Sequence, residues 1–279
     1  MADSDLKRFL DAKKADTRLT GEVERHLLRR PQGNRSTTVL HPSEIIKSDF
    51  CHRYSYYLMT GGKNLEKTPG LRLQSIFDEG HAIHHKWQNW FREMDVLFGE
   101  WKCLMCKEIT EGISVAQCEH CGCKLLEYNE VTLRDEELRI EGHTDGWIID
   151  DKGQCLIEIK SIGAGTLRFE APDLLADAGG DVTKAWKNIR RPFRSHLLQG
   201  QLYLELAQRM FGGDAPTEIV FLYELKADQD YKEFTVKADN TLLEKVLYGA
   251  KVVNDAIDAG VMPECNVDWG GKCKACKDV

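Results

Sequence analysis

Glu141-Gly-His-Thr-Asp145-Gly146, followed by Leu156-Ile-Glu158-Ile-Lys160, is the stretch on which the reading of this chain turns. Asp151-Lys-Gly153 between them has hairpin-turn chemistry, so the two halves read as neighbouring strands. Counting back from the turn brings Asp145 and Glu158 close across the ladder. Side chains alternate faces along a strand, so Glu158 and Lys160 share one face. Two carboxylates suit a hard divalent cation such as Mg2+ or Mn2+, which can activate water and neutralise phosphate charge. Lys160 beside them would orient or help deprotonate the water, or offset charge on the phosphate. A surface hairpin with alternating charge is the bland alternative. Leu156, Ile157 and Ile159 argue against it, because they make the second strand apolar enough to be buried. Buried charges must be paired or bind a metal. The expected chemistry is metal-dependent phosphodiester hydrolysis.

Upstream, residues 72–95 read as a helix. Ile76, Gly80, Ile83, Trp87, Trp90 and Met94 form one stripe at helical spacing, with His84 at its edge. Ser43 is placed to cap a short helix through Tyr57. Residues 1–36 are polar and charged, and read as a helical arm over roughly 4–30 and a linker. Strands are expected at 128–133, 137–141, 146–149 and 155–160. Residues 164–192 read as irregular. A helix is expected over 193–211 with Pro192 in its first turn, then strands at 217–225 and 230–236, and a helix at 239–259. Strands and helices together indicate an α/β fold.

At this point the chain resembles a family. Gly142-x-x-Asp145 with Glu158-Ile-Lys160 is similar to the nuclease motif of the PD-(D/E)xK superfamily; Thr144 stands where that name has proline. Gly80-x-x-x-His84 and Gln199-x-x-x-Tyr203 resemble the flanking helix motifs of its RecB-like branch, in the RecB order. The resemblance runs from about residue 40 to the C-terminus, apart from the first cysteine cluster. It implies a mixed central sheet flanked by helices. It also implies that His84 joins Asp145, Glu158 and the Ile159 carbonyl as metal ligands, and that Gln199 and Tyr203 contact substrate or brace the site. Without the resemblance, His84 reads as a packed helix histidine. Gln199 and Tyr203 then read as the polar flank of a helix whose apolar stripe is Phe193, Leu197, Gly200, Leu204, Ala207 and Phe211.

Most of the ten cysteines fall in two clusters. Cys103-x-x-Cys106 and Cys118-x-x-Cys121, with eleven residues between, have the spacing of a four-thiolate zinc site. Cys123 and His120 are alternate ligands. This cluster defines a zinc-ribbon-like insert at 99–126. The second cluster, Cys265, Cys273 and Cys276 in the segment 261–279, lacks a fourth thiolate, and Cys51 is the natural candidate. Here the chain resembles the iron–sulfur RecB-like nucleases, the AddB nuclease and the CRISPR-associated exonucleases of the Cas-four type. The long cysteine spacing precedes the pair here and follows it in those relatives. The resemblance implies a [4Fe–4S] cluster; zinc on the same thiolates is the rival. Cys155 reads as a small core residue.

A net charge of −7 does not advertise nucleic-acid binding, but a local basic groove is what contacts phosphate. Lys184, Lys187, Arg190, Arg191 and Arg194, interleaved with Trp186 and Phe193, suit phosphate tracking with base stacking. A solvated basic surface is the alternative. Arg53, Tyr54, Tyr56 and Tyr57 are a second candidate, and Arg25, Arg29, Arg30 and Arg35 a third. No apolar run is long enough to span a bilayer and no secretory signal pattern opens the chain, so a cytoplasmic location is expected.

The whole is a RecB-like nuclease domain over 37–279 behind a basic arm at 1–36. The expected activity is a Mg2+/Mn2+-dependent DNA exonuclease serving recombination, repair or CRISPR-like spacer capture, with a recombination or CRISPR-adaptation protein as possible partner. A non-catalytic DNA-binding partner subunit is the alternative. A metal scaffold without nucleic-acid role leaves Glu158 and Lys160 unexplained.

Overall fold

The computed structural model describes residues 19–30, 36–63, 69–267, 273, 275 and 276. The arm before residue 19, Arg35 and parts of the 261–279 segment lie outside them. The helices are α1 (Thr20–Arg29), α2 (Pro42–Ile45), α3 (His52–Met59), α4 (Leu71–Glu93), α5 (Ala164–Glu170), α6 (Pro172–Asp177), α7 (Val182–Lys187), α8 (Arg194–Phe211) and α9 (Glu244–Ala259). The strands are β1 (Leu97–Cys103), β2 (Ile109–Ile113), β3 (Leu126–Asn129), β4 (Thr132–Asp135), β5 (Ile140–His143), β6 (Gly146–Asp150), β7 (Gly153–Ile162), β8 (Glu218–Leu225) and β9 (Tyr231–Lys237). The chain packs as two compact units. One is Met1–Arg35 with Asn64–Ala82; the other is Ser36–Lys63 with Ile83–Val279. In the first, Glu22 and Arg25 pair along α1.

The fold is α/β, a mixed central sheet with helices on its faces. Strand order is β2-β1-β6-β7-β8-β9, with β3 also paired to β1, seven strands in all. Only β7 and β8 run parallel, and a parallel step needs a crossover, which α5 to α8 provide. Both faces of β7 are covered, and the sequence shows why. Leu156 and Ile162 join a core with Leu202, Leu206, Phe221 and Tyr223. Ile157 and Ile159 turn to the other face, packing with Ile83, Leu97, Trp101 and Leu222. A strand buried on both faces reads as a continuous apolar run, and here that run carries Glu158. The β4–β5 hairpin stands apart as a second sheet.

Several expectations are corrected. Residues 164–192, read as irregular, form the short helices α5, α6 and α7. Their six or seven residues are too few to show a helical stripe. Local start signals mark two of them: Pro172 opens α6, and the Asp181 carboxylate caps α7 by accepting from the Lys184 N–H at 3.0 Å. Ser43 lies inside α2 instead of capping a longer helix. Pro192 precedes Phe193, the N-cap of α8, so it is not in that helix's first turn. Of the expected apolar stripe, Ile76 and Trp90 on α4 and Met94 just past its end are exposed, while Ile83 is buried. The 99–126 insert shares a strand with the central sheet. Strand β1 pairs with β6 through Leu97 and Phe98, then with β3 through Glu100 to Cys103.

Candidate active site

The β6–β7 ladder pairs Gly146 with Ile157, and one step further sets Asp145 opposite Glu158. Asp145 is held at that end by the main chain, since its Oδ2 accepts from the Ile159 N–H at 2.6 Å. Its Oδ1 lies 3.2 Å from His84 Nδ1. Thr144 is fully buried, and its hydroxyl donates to the Ile157 carbonyl at 3.0 Å, which ties the two strands beside the acid. Gly142 is required by space: a Cβ there would meet the Pro42 ring at 2.7 Å and Tyr203 at 2.9 Å. Helix α4 is locked to β8 by Glu224, whose carboxylate accepts from Lys86 Nζ at 2.5 Å and Trp87 Nε1 at 2.6 Å. That clasp sits within one turn of His84 and holds its place.

Glu158 is 2% exposed. Its Oε1 lies 2.6 Å from Lys160 Nζ, and its buried Oε2 has no hydrogen-bond partner among the described residues. Such an orphan costs about 1–3 kcal/mol unless something binds it. Lys160 also donates to Gln199 Oε1 at 3.0 Å. An ammonium can only donate, so Gln199 turns its Nε2 to the Tyr203 hydroxyl, at 3.0 Å. The chain Glu158–Lys160–Gln199–Tyr203 thus joins β7 to α8. Gln201 takes no part, because it braces the loop after β9 through Lys237 and Asp239.

The structure adds a residue that sequence reading missed. Ligand atoms of His84, Glu130 and Asp145 lie within 4.8 Å of one another. Gln88, almost fully buried, donates through Nε2 to Glu130 Oε1 at 2.9 Å and to the Asp145 carbonyl at 2.8 Å. Glu130 matches no motif, and the strand expected over 128–133 is broken at it: β3 ends at Asn129 and β4 starts at Thr132. Burial pushes Glu130 up to about 7, and Asp145 adds to the push. Burial likewise raises Glu158 to about 7, against the pull of Lys160. Burial alone would lower His84 and Lys160, but the facing carboxylates outweigh it and raise both. Two carboxylates beside a histidine, those of Glu130 and Asp145 with His84, are a donor set for a hard divalent cation; Glu158, with its orphaned buried oxygen, lies outside that group. The residues present fit such an ion.

Both cysteine foursomes assemble: Cys103, Cys106, Cys118 and Cys121 in one, Cys51, Cys265, Cys273 and Cys276 in the other. Sulfur separations are 3.6 Å for Cys103–Cys121, 3.5 Å for Cys106–Cys118 and 3.8 Å for Cys51–Cys265. Tetrahedral zinc with about 2.3 Å bonds separates its thiolates by roughly 3.8 Å. The Cys106 N–H aims at Cys103 and, with its neighbours, draws that thiol down to about 6. In the other foursome burial, then the neighbouring thiols, push Cys276 up, as expected where a cation is needed to balance several thiolates. Asn266 clasps that site by accepting from the His52 N–H at 2.8 Å and donating to the Phe50 carbonyl at 2.9 Å. Cys123 lies outside both foursomes, its sulfur accepting from the Leu125 N–H at 3.4 Å.

Lys184, Lys187, Arg190, Arg191 and Arg194 are all exposed. The interleaved aromatics are not available for stacking. Trp186 is 1% and Phe193 7% exposed, because both enter the core beneath the run. Lys232 fixes the turn there, donating to the Trp186 carbonyl at 2.7 Å and that of Ile189 at 2.9 Å. Tyr57 anchors a loop, its hydroxyl accepting from the Lys63 N–H at 3.1 Å. Among the described residues no helix is long and apolar enough to cross a membrane.

No protein-family model and no curated protein matches the chain. Among solved structures it is similar to an alkaline exonuclease (LHK-Exo) from Laribacter hongkongensis, at 11% identity and TM-score 0.42, over 86% of this chain and 93% of that one. The complex of LHK-Exo with dAMP is similar at 12% identity and TM-score 0.40, over 80% and 90%. The crystal structure of SSO0001 is similar at 11% identity and TM-score 0.37, over 91% of this chain and 90% of that one.

Proposed function

We propose that this chain is a divalent-metal-dependent deoxyribonuclease of the RecB-like PD-(D/E)xK type, acting on DNA ends as an exonuclease. The observation that supports the reading is two adjacent pairs, His84 with Asp145 and Glu158 with Lys160, on neighbouring strand ends, with one buried Glu158 oxygen left to be bound. His84, Asp145, Glu158 and the Ile159 carbonyl would hold Mg2+ or Mn2+. The ion would make bound water a stronger nucleophile and offset phosphate charge. Lys160 directs its N–H groups into the same space, where it can orient the attacking water and stabilise negative charge on the phosphoryl oxygens. Gln199 and Tyr203 hold the lysine in that direction. Arg190, Arg191 and Arg194 at the start of α8 would carry the DNA backbone. Zinc on Cys103, Cys106, Cys118 and Cys121 holds the ribbon. A [4Fe–4S] cluster on Cys51, Cys265, Cys273 and Cys276 clasps the late segment to α3. Recombination, repair or spacer capture is the setting.

The test incubates purified protein with labelled single- and double-stranded DNA, with and without Mn2+, beside Lys160→Ala and Asp145→Ala. Wild type should shorten DNA only with metal, and both variants should leave it intact. If wild type also leaves it intact but binds it, the chain is a non-catalytic DNA-binding subunit. Colour decides the outer thiolates: a brown protein purified without air supports iron–sulfur, and a colourless one with zinc in both sites refutes it.

A further inference from the structure

We propose that Glu130 is a ligand of the divalent-cation centre, and that the cation held by the thiolate ribbon sets its place, so that loading the ribbon governs the affinity of the centre. The inference rests on the metal-centre part of the proposed function, not on DNA cleavage.

The argument follows the chain. Strand β1 belongs to both structures: it starts in the central sheet against β6 and ends at Cys103, a ribbon thiolate. There Cys103 pairs with Leu126, the first residue of β3, and the Leu104 N–H donates to the Leu125 carbonyl at 3.0 Å. Cys118 and Cys121 lie just upstream, closed by the Cys118 N–H on the Cys123 carbonyl at 2.8 Å. Cys103, Cys118, Leu126 and Trp101 share one small core. Tyr128 on β3 lies against the Trp101 ring, centroids 5.1 Å apart. Strand β3 is four residues long and ends at Asn129. The next residue is Glu130, whose carboxylate is within 4.8 Å of ligand atoms on His84 and Asp145.

A four-residue edge strand does not hold itself, and a small thiolate ribbon folds with its metal. Glu130 therefore has two supports: the metal-closed ribbon that delivers it and the Gln88 amide that receives it. Gln88 also bonds the Asp145 main chain, so it gauges the separation of the two acids. Stripping the ribbon would free β3 and withdraw one charged ligand from the centre.

The test is a double-mutant cycle on the full-length protein, with Mn2+ alone as the probe and its binding read by electron paramagnetic resonance. Glu130→Gln should weaken Mn2+ binding by about tenfold or more. Cys121→Ser should weaken it too, and the double variant should be no weaker than Glu130→Gln alone. Glu127→Gln, an exposed charge on β3, should bind Mn2+ as wild type. If Cys121→Ser does not fold, Tyr128→Leu loosens β3 without touching a thiolate and completes the same cycle. Wild-type Mn2+ binding by Glu130→Gln, or losses that multiply in the double variant, would overturn the inference. Asp145→Asn separates the two levels. If it loses Mn2+ while Glu130→Gln does not, only this inference falls. If neither variant loses Mn2+, the metal centre itself falls.

Discussion

Replacing Gly200 with alanine sets two effects of known sign against each other. Gly200 lies inside α8, where glycine costs about 1 kcal/mol relative to alanine. A methyl group there should stabilise, if the helix were all that mattered. The tertiary structure says otherwise. A Cβ on Gly200 would lie 2.4 Å from Phe221 Cζ, 3.0 Å from Phe221 Cε1 and 3.1 Å from Ile219 Cδ1. Phe221 and Ile219 are fully buried, so neither ring nor methyl has space to retreat. Overpacking of this kind costs typically 1–3 kcal/mol. The expected net change is a loss of about 1 kcal/mol, the difference between the two terms. Gly165 is the matched control: nothing lies within 4 Å of its added Cβ, so Gly165→Ala should gain roughly 0.5 kcal/mol. Urea denaturation of both variants, with unchanged m-values, measures the opposite signs. Because Gln199 precedes Gly200, a displaced α8 should also lengthen the 3.0 Å Lys160–Gln199 bond and lower DNA cleavage. A Gly200→Ala protein as stable as wild type would refute the claim that this glycine sets the helix–sheet distance.

Three further outcomes are expected. Burial, helped by Lys160, holds His196 neutral with its pKa down to about 2, and its Nδ1 lies 2.5 Å from the Tyr223 hydroxyl. A histidine depressed in the fold contributes stability above its unfolded pKa that is lost as pH falls below it. Wild type should therefore lose about 1 kcal/mol between about pH 7 and about pH 5.5 that His196→Gln keeps, and equal losses would show that His196 is not buried neutral. Removing Arg190 and Arg191 together should flatten the salt dependence of DNA binding by roughly 0.7–0.9 in logarithmic slope per lost phosphate contact; an unchanged slope would clear them of that role. Cys51→Ser should abolish the visible colour of protein purified without air and expose the segment after Val261 to protease, whereas undiminished colour would remove Cys51 from the cluster.

The sequence by itself determined what is written in local pattern. Short apolar runs on either side of Asp151-Lys-Gly153 specify the β6–β7 hairpin, and its register follows from the turn. That register sets Asp145 against Glu158 and places Lys160 on the face of Glu158, because pleat and turn are properties of a few consecutive residues. Cysteine spacing likewise marked the first foursome and three thiolates of the second. Only the tertiary structure decided which faces meet. Glu130 comes to His84 because β3 ends where it does against β1, a contact with no sequence periodicity. Trp186 and Phe193 look like a stacking surface in sequence, yet packing turns them into the core and leaves the arginines outside. Periodicity tells a side chain's face on its own element; the partner of that face is chosen by burial and charge satisfaction across the whole chain.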